Sequence, residues 1–525
     1  MKLIQTKKVS LVTNNIFLFF CIAVLLRLYV YKFTYIINLD GVNYIHQAKV
    51  LFSGQLENLY NCGLQFLSIY PLFIAGLYKL CNDWIFAAKA VSFLFGLGVL
   101  IPLYFLLKRF FGTQTSNLTF LLFALCPVFV IRSIDVVRGP IFWFFLVWGL
   151  FFFIQYIENK KYCSLIFSML FYLLSAWART EGIILIPISI FYIFINSQNK
   201  LKVSIILGFA CIISFLLVLI LQAAFDISLA KYLRFHDILD KATEPFSKYN
   251  EVRSFLKNQA LLNNSFFENF LMKARLNIWL IALGTIINNM LEAFFVPFCI
   301  FLIYGFTGIK EKIILDKRLF YFLLIFISGI IVLVFQLLQC WAMEHRYFAI
   351  VILSCAVFMG FGLENIIHYL QLRFRFKETT AIIIVCIFVL GTGFAKNLKP
   401  REKNKFIYKQ MGEFIAKHED PETLIQIVAG SPAVHKWVLF YANVNKKNYL
   451  CPDNLKHFSD RIFDSYDGFM TSLKNNNVKY IVWDERNWNI KNFNMEDLKV
   501  NDFKFLMDGY HPDTGQLKLY KIIFY

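Results

Sequence analysis

The chain has 525 residues, 58% of them hydrophobic and only 17% charged, with a mean hydropathy of +0.58. Soluble chains carry about a quarter charged residues, so composition excludes an ordinary soluble protein. The net charge of +19 sits in short connections between apolar runs, which sets nucleic acid aside and makes acidic lipid headgroups the partner of those cations.

Runs of about 18 to 22 apolar residues match a hydrocarbon core of about 30 Å. In lipid such runs must be helical, because every backbone polar group has to be satisfied within the segment. About eleven spans are expected, at 14–33, 84–107, 115–133, 139–157, 162–178, 182–196, 203–224, 281–306, 319–338, 347–367 and 379–396. The first has no small-residue cleavage site and keeps Arg27 inside it, so it reads as a retained anchor, not a removed signal peptide. Basic residues then fall in alternate connections. They are Lys2, Lys7 and Lys8; Lys108 and Arg109; Lys160 and Lys161; Lys200 and Lys202; Lys310, Lys312, Lys317 and Arg318; and Arg373, Arg375 and Lys377. All land on the side of the N-terminus, which is therefore expected to be cytoplasmic.

Three larger pieces are left on the opposite face: 34–83, 225–280 and 397–525. Within the first, 43–59 has apolar residues near helical spacing and reads as an amphipathic helix on the membrane surface. The short apolar piece 67–80 contains Pro71 and is re-entrant or interfacial. Cys62 and Cys81 either pair outside the membrane or stay as thiols; no CxxC or zinc spacing is present. The C-terminal piece alternates helix and strand: helix 406–417, strand 424–429, helix 433–442, helix 465–475, and strands 479–483, 503–507 and 517–524. The expected architecture is thus an α-helical integral membrane protein, 1–396, followed by a small α/β extracytoplasmic domain, 397–525.

Unusual charges gather on that outer side. Asp40, in Asn38-Leu39-Asp40-Gly41, is the strongest candidate, as a general base held at the membrane boundary. Its competing role is to cap a helix starting near Val42. Asp135, between Arg132 and Arg138, suits a metal or an acceptor while the arginines suit phosphate; snorkelling is the alternative. Arg179 and Glu181 fall in a very short outer turn, where charges are functional or mutually paired. Glu344-His345-Arg346-Tyr347 closes the set, either meeting a phosphate leaving group or forming an interface belt. Tyr44, His46 and Tyr70 are weaker, since packing explains each of them.

The order of these motifs resembles a known family. Asp40-Gly41-Val42-Asn43-Tyr44 is followed by Tyr70-Pro71-Leu72-Phe73, then Lys108-Arg109-Phe110-Phe111-Gly112, Leu125-Cys126-Pro127 and Ala178-Arg179-Thr180-Glu181-Gly182. The pattern is similar to that of the phospholipid-carrier-dependent glycosyltransferases, the GT-C architecture of protein O-mannosyltransferases and lipid A aminoarabinose transferases. The likeness is clearest over 14–200. It implies a polyprenyl-phosphate-linked sugar as donor, and a lipid, glycan or protein hydroxyl outside the cytoplasm as acceptor. It also implies direct inversion, no organic cofactor, and Asp40 as the catalytic base. Asp135, Arg138, Arg179, Glu181, His345, Arg346, Tyr44 and Tyr70 become the substrate-binding set. Relatives often place a carboxylate before the proline opening the fourth span; here that residue is Gly139, before Pro140. Asp135 takes its place or nothing does, so a divalent metal held by Asp40 and Asp135 stays open. Two other classes compete: a transporter or flippase of lipid-linked sugars, and an O-antigen polymerase or ligase using 225–280. Heavy use of Phe, Lys and Asn suggests an AT-rich genome and a bacterial inner membrane.

Overall fold

The computed structural model describes residues 16–64, 66–196, 235–262, 264–450, 465–488 and 502–523; the expected span 203–224 lies outside them. In chain order, α1 (Ile16–Lys32) is the first apolar run. α2 (Leu39–Ser53) is capped by Asn38 and stopped by Gly54 at a left-handed φ of 76°. α3 (Ile69–Cys81) carries Pro71 in its first turn, where a proline is tolerated. Next come α4 (Trp84–Leu107), α5 (Thr113–Leu125), α6 (Pro127–Arg132), α7 (Gly139–Asn159), α8 (Tyr162–Ala178) and α9 (Leu185–Asn196). Beyond residue 235 are α10 (Phe235–Leu261), α11 (Ser265–Leu276), α12 (Ile278–Phe294), α13 (Cys299–Gly305), α14 (Ile309–Leu315) and α15 (Lys317–Cys340). A 3-10 turn, His345–Phe348, opens α16 (Ala349–Ser354), followed by α17 (Ala356–Phe374) and α18 (Glu378–Asn397). The last described elements are α19 (Phe406–His418), β1 (Gln426–Ala429), α20 (Pro432–Asn443), α21 (Tyr466–Asn475), β2 (Val478–Asp484), β3 (Phe503–His511) and β4 (Gly515–Ile522).

These elements form two compact units, one of residues 1–30, 92–134 and 138–399, the other of 31–91, 135–137 and 400–525. Among the described residues four helices are long and apolar enough to cross a membrane singly: α4, α7, α15 and α18. The number rises to six if the bent pairs α11–α12 (73°) and 345–374 (65°) each make one span.

Three expected spans of the first unit are not continuous. The run 115–133 is two helices, because Pro127 has no N–H to offer and Cys126 adopts extended backbone. The run 281–306 stops at Phe295, a non-glycine residue at φ 67° just ahead of Pro297. The run 347–367 bends at Cys355. The stretch 225–280, expected as a polar outer loop, is helical from residue 235 onward apart from short breaks. Packing between α13 and α17 is backbone against backbone: a Cβ on Gly362 would lie 1.7 Å from the Phe301 carbonyl oxygen. Small residues allow such approaches where lipid supplies no hydrophobic drive. Hydroxyls join three further helices, with Tyr321 Oη 2.8 Å from Tyr172 Oη and 2.7 Å from Ser189 Oγ.

In the second unit a four-stranded sheet has the order β1-β2-β4-β3, with β1 and β2 parallel and the other pairs antiparallel. Glu419, just after α19, ties it together by accepting hydrogen bonds from Lys479 (3.0 Å), Tyr480 (2.7 Å) and Lys521 (2.8 Å). Burial pushes this carboxyl up, but the three donors outweigh it and hold it at about 2. α2 is not the one-sided surface helix expected from its spacing. Every residue from Tyr44 to Val50 is buried, because α3 covers one side of the helix and α20 another. Lys49 explains part of this: its Nζ donates to the carbonyls of Val444 (2.8 Å) and Lys446 (3.0 Å), just past the end of α20. Cys62 is disulfide-bonded and Cys81 is a free thiol. A Cys62–Cys81 pair is therefore ruled out, and the partner of Cys62 lies outside the described residues.

His46 makes this packing sensitive to acid. Its Nδ1 donates to the Leu450 carbonyl at 2.5 Å, so the neutral ring keeps a bare Nε2, which is buried and accepts no hydrogen bond. Burial, then the Lys49 charge, lowers its pKa to about 3. The unfolded chain binds this proton near pH 6.5 and the folded chain only near 3, so stability falls as pH drops through that window. His46→Leu should flatten the fall measured by thermal unfolding between pH 7 and 4; an unchanged slope would assign the acid sensitivity elsewhere.

Candidate active site

An acidic group of candidate residues lies in the second unit. Asp40 occupies the first turn of α2, but it does not cap the helix. Asn38 does, in extended backbone (φ −64°, ψ 149°), with its Oδ1 accepting the Asp40 N–H at 2.8 Å. Asp135 Oδ1 in turn accepts the N–H groups of Asn38 (3.3 Å) and Val136 (2.8 Å). The two carboxylate residues are thus linked through one asparagine. The approach is held from behind at Ile37, whose N–H donates to Tyr441 Oη (3.1 Å) and whose carbonyl accepts from Trp437 Nε1 (2.9 Å). Burial lowers the pKa of Lys436 on α20, and the nearby charge of Asp40 works against that shift. A cation therefore lies within electrostatic reach of the aspartate in this unit.

Gly41 lets the 135–137 segment approach. A Cβ there would lie 2.7 Å from Val136 Cβ and 3.0 Å from its carbonyl oxygen, distances that force one chain to move. Gly41→Ala should destabilise the protein by about 1–3 kcal/mol, the usual cost of overpacking, and lower turnover. Thermal unfolding and activity check it together; a variant equal to the parent in both would show that this approach is dispensable.

A separate, basic group of candidate residues lies in the first unit. Arg179, after α8, is extended (φ −148°, ψ 127°), and its side chain is only 5% exposed. It pairs with Glu181 at 3.1 Å, donates to the Arg346 carbonyl at 3.4 Å, and lies 5.1 Å from the Tyr347 ring and 5.7 Å from that of Phe142. Arg346 and Arg132 meet the same carboxylate, Glu344, at 2.8 and 3.4 Å. Arg138 donates to the carbonyl of Ala178, the residue before Arg179, at 3.4 Å. Three guanidiniums therefore meet two carboxylates, with Arg138 bonded to the residue before Arg179, a net positive arrangement with planar donors suited to phosphate oxygens. His345 is the exception: it turns toward Glu292 on α12, at 3.1 Å, and both are substantially exposed.

Comparison with known proteins then bears on what this arrangement is. A family model described as dolichyl-phosphate-mannose-protein mannosyltransferase matches residues 69–221. The chain is a glycosyltransferase. The matched family is the one the motif order resembles. Among solved structures, ArnT from Cupriavidus metallidurans in the apo state aligns with a TM-score of 0.60 at 11% identity, over 97% of this chain and 98% of that one. The same protein bound to undecaprenyl phosphate gives 0.55 at 11%, over 96% and 97%. The Archaeoglobus fulgidus oligosaccharyltransferase in complex with Zn and sulfate gives 0.53 at 13%, over 89% and 68%. At such identities the likeness is one of fold, the GT-C architecture. No curated protein matches the sequence.

The family match takes in Tyr70, Asp135, Arg138, Arg179 and Glu181 of the glycosyltransferase, while Asp40 and the Glu344–Arg346 stretch lie outside it. Tyr44 and Tyr70 pack edge to face at 5.4 Å, both buried, and Tyr70 Oη donates to the Ala88 carbonyl at 2.9 Å. Sequence reading missed Asn38 as the cap, Lys436 beside Asp40 and Glu292 beside His345. For Asn38 the signal was present, since asparagine ranks with aspartate at a cap; the other two are pairings distant in the chain. As for a metal, no three His, Cys, Asp or Glu gather as a ligand set among the described residues. One oxygen of Asp135 already accepts two backbone N–H groups. A divalent ion can be held by one or two carboxylates with waters and substrate phosphate supplying the rest, so the Asp40 and Asp135 carboxylates leave that expectation open, and no step is derived through one.

Proposed function

We propose that the protein transfers a sugar from a polyprenyl-phosphate carrier to an acceptor hydroxyl on the non-cytoplasmic face of a bacterial inner membrane. The observation that carries this reading is the Asn38 cap, which pins the backbone of Asp40 in the first turn of α2. In the proposed step Asp40 takes the proton of the acceptor hydroxyl as that oxygen attacks the anomeric carbon. The bond from the anomeric carbon to the phosphate oxygen breaks, and its electron pair leaves on the phosphate. Charge that grows on this leaving group is met by Arg138, Arg179 and Arg346. Attack opposite the leaving group inverts the anomeric centre. Undecaprenyl phosphate, bound by the ArnT structure, supports the choice of carrier.

The reading includes eleven spans with a cytoplasmic N-terminus and 397–525 outside. Disulfides persist in oxidising compartments, so the bond at Cys62 supports an external position for the first loop. Two experiments test the whole. Purified protein in lipid nanodiscs, given a panel of polyprenyl-phosphate sugars and acceptors, should release polyprenyl phosphate; no release across the panel would defeat the activity. Cysteine labelling at positions 200, 315 and 450 should reach 200 and 315 from the cytoplasm and 450 from outside. Labelling of 450 from the cytoplasm would overturn the topology.

A further inference from the structure

Arg27 lies in the middle of the first apolar run and is completely buried in the first unit. An ionised side chain at such a depth is costly unless its donors are used. Here Nε and Nη1 are used on a broken helix, while Nη2 is buried without a partner. α5 ends at Cys126 because Pro127 cannot donate, which leaves the carbonyls of Ala124 and Leu125 without helical partners. Arg27 Nη1 donates to the Ala124 carbonyl at 3.0 Å and to Ala23 of its own helix at 3.2 Å. Asn397 Nδ2, from α18, donates to the Leu125 carbonyl at 2.8 Å. Arg27 Nε reaches further, to Ser133 Oγ at 2.9 Å, the residue that ends α6. Ser133 Oγ is also within hydrogen-bond reach of the Val130 carbonyl, at 3.1 Å. One guanidinium thus bonds the last turn of α5 and the end of α6, on either side of the break. The residue before Ser133 is Arg132, which meets Glu344, the carboxylate shared with Arg346.

We infer that Arg27 is a positioning residue for the phosphate-binding arginines. It fixes the short helix α6 so that Arg132 reaches the Glu344–Arg346 pair, and so sets the geometry offered to the carrier's phosphate from deep in the membrane. The inference rests on the proposed use of that cluster. A lysine at this position keeps the charge and one carbonyl bond but cannot also span to Ser133, so it separates the clamp from simple charge burial.

The test uses full-length protein in nanodiscs with undecaprenyl phosphate as the probe. Arg27→Lys should fold and should bind the probe about tenfold more weakly than the parent, with Ser133→Ala shifted the same way. Arg132→Ala should weaken binding too, and the double variant Arg27→Lys/Arg132→Ala should bind no worse than Arg132→Ala alone, since both act through one group. Additive losses, or parent-like binding by Arg27→Lys, would overturn the inference. Hydrogen exchange of residues 126–134 supplies an arm that needs no lipid: it should rise in Arg27→Lys while α7 and α15 stay protected. If the parent fails to bind undecaprenyl phosphate, the proposed function fails, and the exchange result still decides the role of Arg27. Unchanged exchange at 126–134 would refute the clamp whatever the lipid does.

Discussion

Asp40→Asn should lower turnover by about a hundred- to ten-thousand-fold, the range of a lost general base, while leaving thermal stability and carrier binding as they are. The structure sharpens this test. Were Asp40 only the cap of α2, asparagine would replace it almost without loss, and activity would survive. The cap is Asn38, and the contact it makes with residue 40 is to the backbone N–H, which the substitution does not alter. The amide keeps the shape of the carboxylate and cannot take a proton at neutral pH. Reconstituted transfer with a polyprenyl-phosphate sugar measures the outcome directly. Near-parental turnover by the asparagine variant would remove Asp40 from the mechanism.

The second large effect is expected at the arginines. Arg346→Ala should weaken carrier binding by about 1.5–3 kcal/mol, the range for hydrogen bonds to charged groups, or roughly ten- to 150-fold. Arg138→Ala should weaken binding in the same direction; its guanidinium donates to the Ala178 carbonyl at 3.4 Å, beside Arg179. Arg179→Ala should behave differently. Its pair with Glu181 is buried, with side chains 5% and 14% exposed, and removing one partner leaves the other charge uncompensated, a change that costs about 3–5 kcal/mol in stability. Loss of folded protein is the expected result there, before any binding defect. His345→Ala should change little, since the ring is exposed and directed at Glu292. Titrating undecaprenyl phosphate into each variant separates the cases. Binding equal to the parent in Arg346→Ala and Arg138→Ala alike would take the cluster out of phosphate recognition.

How much of this was legible in the sequence depended on whether the signal was local. The strand expected at 479–483 is Val478–Asp484, and the helix expected at 406–417 is Phe406–His418, because alternation and helical spacing are written in adjacent residues. Hydropathy located the runs 115–133 and 281–306 but passed over their breaks. It measures side chains, whereas Pro127 and Phe295 act on backbone hydrogen bonds and dihedral angles. The start of α2 was placed late, at Val42, because Asn38 and Asp40 both rank as capping residues and the choice is made by Asp135, nearly a hundred positions away in the chain. The tight fit of Gly41 on Val136 and the pairing of His345 with Glu292 depend on which elements meet, and no spacing rule encodes that. Among the charges, residue identity and the shared side of the membrane were readable; the partners were not.

Glu344 has a consequence for how such a cluster would work through a catalytic cycle. Lying against Arg132 and Arg346, it is a tethered counter-ion, present at an effective concentration that no dissolved anion matches. On the proposed reading an arriving phosphate exchanges with this resident carboxylate and does not strip ions from bulk solution. Affinity then depends only weakly on ionic strength, unlike that of an open basic patch. The same carboxylate is waiting when the sugar has gone, and its return to the guanidiniums favours release of the spent carrier. Recognition and product release become two directions of one ion exchange, set by a glutamate two residues from the arginine it neutralises.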